Sequence, residues 1–188
     1  RGSIVEGTTK YFAGHFDGKN ATITGLNNDG YKPETYSITT DTPGEYLFGL
    51  FGFTSNATIA NLNLVDVNID ASIDADSNDG NEAYGDGVAA LVGYSTNELT
   101  VDNVAVSGTI KGYDSVAGIV GRAYGTETNI TDCINDADIS HTKANGKAGG
   151  IIGIGSQDAV TITVTNCHNT GDVTGGNVGG IIGYLGNV

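Results

Sequence analysis

The apolar positions of this chain fall into a repeating two-part pattern and show no helical period. A unit of Gly, two aliphatic or aromatic residues and Gly stands at Gly49-Leu50-Phe51-Gly52, Gly118-Ile119-Val120-Gly121, Gly150-Ile151-Ile152-Gly153 and Gly180-Ile181-Ile182-Gly183, with Ala90-Leu91-Val92-Gly93 as a variant. Successive closing glycines are 41, 28, 32 and 30 residues apart. A stretch of period-two alternation follows each of the first four copies: Thr58 to Leu64, Thr100 to Val106, Asn129 to Asn135 and Thr163 to Asn169. These stretches align column by column, with Ile59, Val101, Ile130 and Val164 in one column and Leu62, Val104, Cys133 and Cys167 in another. A shorter segment closes each unit, at Val67-Asn68-Ile69, Thr109-Ile110, Asp138-Ile139 and Asp172-Val173. Alternation of this kind predicts strands whose apolar columns face a core while the polar separators face water.

Three short strands in about 30 residues, turned by Gly and Asn, predict one coil of a solenoid, because a propeller blade needs about 40 to 50 residues. The expectation is an all-β fold: a right-handed, single-stranded parallel β-helix of about six coils. It reads as a single domain over 1–188, with an N-terminal rung and irregular cap at 1–45 and five coils at 46–188, interrupted by an acidic insertion at 70–87. Gly and Asn suit the corners because they reach left-handed backbone angles at small cost.

The five units resemble the GLUG-motif repeats of secreted and surface-attached bacterial proteins. Asn166-Cys167-His168-Asn169-Thr170-Gly171-Asp172-Val173 is similar to the family's stretch between units, and Phe16-Asp17-Gly18 through Thr24-Gly25-Leu26 to the rung that opens such arrays. The resemblance covers most of the chain. It implies a secreted or cell-surface location and an adhesin-like, non-catalytic module for binding or display within a larger exported protein. An alternative it implies is the stalk region of a surface protease. The partners it implies are a host or bacterial surface protein or a glycan.

Charge narrows the partners further. With 22 acidic and 8 basic residues the net charge is -14, which excludes nucleic acid and anionic lipid, both held mainly through Lys and Arg. No apolar run approaches the roughly 18 residues of a membrane span, so neither direct membrane insertion nor a signal peptide is expected, and a secreted form would already have lost its leader. No Lys-Ser or Lys-Thr follows any Gly unit, so these are corners and not phosphate loops.

Candidate chemistry lies at three places. Asp74, Asp76 and Asn78 alternate ahead of Gly80, with Asp86 closing the run; alternating oxygen donors on a curling loop suit calcium, and the competing reading is a solvated acidic loop. Cys133 and Cys167 share an inward column, which predicts two stacked, buried thiols, a disulfide being less favoured by parallel Cβ vectors. The third is the Gly unit itself. Strict alternation would turn Phe51, Val92, Val120, Ile152 and Ile182 outward, together with the column Phe53, Tyr94, Arg122, Ile154 and Tyr184, as an apolar and aromatic ladder. Phe51, Tyr94, Val120, Ile152 and Tyr184 would then form the partner face, with self-association through this ladder or the solenoid edges. The alternative is a polysaccharide hydrolase or lyase built on a β-helix. Its catalytic set is absent as a motif, since His15, His141 and His168 are scattered and the only arginines are Arg1 and Arg122. No catalytic residue is therefore assigned.

Overall fold

The computed structural model describes residues 11–28, 47–72, 87–156 and 161–186. Every regular element among them is a strand: β1 (Phe12–Thr24), β2 (Leu47–Phe48), β3 (Phe51–Ala71), β4 (Gly87–Ala89), β5 (Val92–Gly112), β6 (Ser115–Ala117), β7 (Val120–Ala123) and β8 (Glu127–Thr131) in the first part of the chain. They continue as β9 (Ile134–His141), β10 (Lys147–Gly149), β11 (Ile152–Gly155), β12 (Thr161–Thr165), β13 (His168–Asn169), β14 (Val173–Thr174), β15 (Asn177–Gly179) and β16 (Ile182–Leu185). All the pairings are parallel. The larger sheet follows the path β1-β3-β5-β7-β11-β16, with β8, β9 and β12 to β14 joined to it, and the smaller one runs β15-β10-β6-β4-β2.

Register bears out the columns read from the sequence. Ile59 pairs with Val101, Val101 with Ile130, and Ile130 with Val164. In the closing segments Ile69 pairs with Ile110, Ile110 with Ile139, and Ile139 with Val173. Ile59, Leu62, Leu64, Leu99, Ile110, Ile130 and Ile139 are fully buried, and a side chain of this size gives about 1.5–3 kcal/mol when removed from water. The rung at Phe16 to Leu26 adds onto this stack, with Phe16 opposite Ile59 and Ile23 opposite Leu64.

The 21-residue strands β3 and β5 are not straight. Asn56, Asn61 and Asp66 in β3, and Asn97 and Asn103 in β5, hold φ between 53° and 57°. Left-handed residues at about every fifth position break the alternation and turn the chain. Stacked corner residues also bond to each other: Asn103 Nδ2 donates to Asn61 Oδ1 at 2.8 Å and Asn61 Nδ2 to Asp17 Oδ1 at 3.0 Å. Asn166 repeats this on Asp132, both again left-handed. The bond from Asn61 and the backbone N–H of Lys19 together hold the exposed Asp17 carboxyl below its ordinary range.

The outward ladder expected at the Gly units is not what the fold contains. Val92, Val120 and Ile152 are fully buried, as are their neighbours Leu91, Ile119 and Ile151, while Phe51 and Ile182 are half-buried. Leu91, Ile119 and Ile151 lie between strands, where the chain bends from the small sheet into the large one. A bend between two neighbours removes the opposition that a strand would impose, so both apolar residues of the unit enter the core.

Candidate functional site

Phe53 and Tyr94 sit opposite each other in β3 and β5, and Arg122 takes the same position in β7. The rings of Phe53 and Tyr94 meet edge to face at 5.3 Å, and Tyr11 adds to Phe53 at 5.8 Å. The ring run continues although Arg122 has replaced an aromatic, because Tyr124 lies two residues further on. Its backbone N–H bonds Ser95 O at 3.0 Å, bringing its ring to 5.5 Å from Tyr94. Four rings thus cross successive strands, from the exposed Tyr11 to the half-buried Tyr124.

Arg122 carries the run into a cluster of charge. Its guanidinium lies 5.5 Å above the Tyr124 ring, its Nε donates to Ser115 Oγ at 3.3 Å, and Nη2 stands 3.8 Å from Asp114 Oδ2. Asp114 is buried where β5 passes into β6. Lys143 Nζ donates to Asp114 Oδ2 at 3.1 Å, and Lys147 Nζ lies 3.5 Å from Oδ1 at an ion-pair distance without hydrogen-bond geometry. The Lys143 ammonium also stands 5.5 Å over the Tyr113 ring. Three of the chain's eight cations therefore meet one carboxylate. Lys143 keeps the most solvent contact, with a quarter of its side chain exposed, against 14% for Lys147 and 11% for Arg122. The half-exposed rings of the run leave apolar faces on which a flat apolar group can stack.

The structure distributes the partner-face residues unevenly. Tyr94 belongs to the ring run, Tyr184 is exposed on the last strand of the large sheet, Phe51 packs on Phe12 and Phe16, and Val120 and Ile152 are core. Arg122, expected outward as a charged residue in its column, is buried as well, with Asp114, eight residues back, as its counter-ion. Lys143 and Lys147 escaped that reading too, and the one signal was their proximity in a cation-poor chain. Asp74, Asp76, Asn78 and Asp86, the candidate calcium ligands, lie outside the described residues. At the edge of that insertion Asp70 is described: partial burial pushes its carboxyl up, but hydrogen bonds from Ser72 and the Lys111 charge at 3.5 Å outweigh this and lower it.

Cys133 is buried and Cys167 half-buried, both as free thiols. Burial pushes the Cys133 thiol up to about 12, and burial also raises Cys167, though it is the more open of the two. Thiolate is the reactive form. In the native protein Cys167 is expected to react with iodoacetamide at least about tenfold faster than Cys133, read by peptide mass spectrometry; equal rates would contradict this burial order.

No family model matches the chain, and no solved structure matches it. It is 33% identical over 104 residues to halomucin of Haloquadratum walsbyi (strain DSM 16790 / HBSQ001), a stretch covering 52% of this chain and 1% of that protein. It is 27% identical over 190 aligned residues to the immunoglobulin A1 protease of Streptococcus sanguinis, covering 97% of this chain and 9% of that protein. The chain thus spans less than a tenth of either relative.

Proposed function

We propose that this chain is a non-catalytic extracellular module of the GLUG-repeat type, a right-handed parallel β-helix that binds or displays at a bacterial surface as part of a larger exported protein. The observation that carries the reading is the ring run Tyr11, Phe53, Tyr94 and Tyr124 ending at the Arg122, Lys143 and Lys147 cluster. It is a surface ladder at strand spacing, which suits an extended glycan or peptide lying across the coils. Parallel pairing with conserved column register supports the coiled stack, and the two relatives support an exported parent. The immunoglobulin A1 protease likeness, running over nearly the whole chain, specifically favours the reading as a stalk region of a surface protease. Calcium at Asp74, Asp76, Asn78 and Asp86 remains part of the proposal, to be read as a calcium-dependent rise in unfolding midpoint.

A glycan array that includes uronic, sialic and sulfated oligosaccharides tests the binding reading. The intact chain is expected to retain glycans that offer apolar sugar faces to the rings, and Tyr94→Ala/Tyr124→Ala to lose at least about tenfold of that retention, the loss of two stacking contacts, with its unfolding midpoint kept within a few degrees. Retention unchanged in the variant overturns the ring run as the recognition surface. Release of shortened products from a polysaccharide by the intact chain would instead support the hydrolase or lyase.

A further inference from the structure

His141 ends β9 with its side chain enclosed. Its Nδ1 lies 3.0 Å from the carbonyl oxygen of Lys143, and its Nε2 accepts the backbone N–H of Gly176 at 2.9 Å. A carbonyl can only accept and a backbone N–H can only donate, so the two bonds together assign the neutral ring with its proton on Nδ1. Glycines occupy the positions beside both nitrogens. A Cβ at Gly146 would overlap Nδ1, and a Cβ at Gly175, whose φ is 147°, would overlap Nε2. The chain around the ring is therefore shaped to hold an unprotonated imidazole as an acceptor for one turn, 174–177, which leads into β15 on the edge of the small sheet.

We propose that His141 is a proton-operated latch for the last described coil: protonation at Nε2 sets an N–H against the Gly176 N–H, and the turn at 174–177 lets go. The bond balance is simple. One proton from solvent is taken up at Nε2, the acceptor lone pair is lost and the Gly176 amide turns to water; the new N–H is the sole covalent change. Release frees Asn177, whose side chain reaches Asn145 O and Gly146 O, and unpairs β15 from β10. The charges facing the ring are Asp114, from the turn between β5 and β6, and Lys143 and Lys147, from the 142–147 segment. Lys111, next to the partner position of His141 in β5, is turned to Asp70. The segment 173–179 brings no titratable side chain.

Burial is the largest influence and lowers the imidazole, the Lys143 carbonyl and Asp114 raise it by less, and Lys147 lowers it further. The folded chain then binds fewer protons than the unfolded one. The latch's contribution is complete above the ordinary histidine value of about 6.5 and is lost as pH falls through the lowered folded value.

Hydrogen exchange of the intact chain at about pH 7.5 and about pH 5, expressed as protection factors so that intrinsic exchange cancels, tests this. The Gly176 amide is expected to lose at least about tenfold of its protection at the lower pH, while amides of 99–106 keep theirs. His141→Gln, whose Oε1 accepts without titrating, is expected to show no such loss. Unchanged protection at Gly176, or an equal loss throughout the chain, overturns the latch. Should the glutamine variant fold poorly, the 15N shifts of the wild-type ring decide: a neutral Nε2–H tautomer at about pH 7.5 contradicts the assignment on which the latch depends, and an Nδ1–H tautomer that titrates together with Gly176 protection supports it.

Discussion

Asp114→Ala is expected to destabilise the chain by about 3–5 kcal/mol, the cost of leaving buried charge without its counter-ion. The Asp114 side chain is 6% exposed and stands within ion-pair distance of Arg122, Lys143 and Lys147. In water each of those cations would be hydrated; around Asp114 they are largely enclosed, so removing the one anion leaves three like charges facing each other at reduced dielectric. Asn in the same place keeps the volume and one acceptor but no charge, and should recover only part of the loss. Urea unfolding measures both through the midpoint at constant slope. A second substitution, Lys147→Met in the Asp114→Ala background, should restore stability relative to Asp114→Ala alone. A midpoint for Asp114→Ala within error of the wild type would mean that the cluster is solvated and contributes little, as exposed ion pairs do.

The Gly units should differ sharply in their tolerance of a methyl group. At Gly121 a Cβ would come within 2.6 Å of Val88 N and 2.7 Å of Gly93 O, both backbone atoms of adjacent strands. Nothing there can rotate away. Gly121→Ala is therefore expected to cost about 2–3 kcal/mol, as overpacking does when the neighbours are fixed. At Gly180 no atom lies within 4 Å of the added Cβ, and Gly180→Ala should stay within about 0.5 kcal/mol of the wild type. Comparing the two separates close approach of sheets from mere backbone freedom as the reason for Gly. Equal effects at both positions would sink the close-approach explanation.

Columns of apolar residues were legible in the sequence because parallel, in-register stacking places like on like: Ile59, Val101, Ile130 and Val164 could be aligned by eye and are aligned in space. What alternation could not foresee is where it stops. A bend inside the Gly unit takes Val120 and Ile152 into the core beside Ile119 and Ile151, so a rule valid along a strand gave the wrong face across a corner. The charged cluster was hidden for a different reason. Asp114 and Lys143 are 29 residues apart, close to one repeat, and no local spacing rule relates residues that parallel pairing brings together across a repeat. Arg122 was noticed in its column, yet a lone arginine reads as exposed until its counter-ion is located.

The strand path has a mechanical consequence. β1 and β16 occupy opposite edges of the large sheet, so tension applied between those edges is directed along the inter-strand hydrogen bonds and not across them. Strands loaded in this direction peel, one bond after another, whereas sheared strands must break many bonds at once. Each repeat that peels would release about 30 residues, roughly 100 Å of contour at full extension. Under load the molecule would yield stepwise at low force, lengthening like a ratcheted tether and keeping the remaining strand pairs intact.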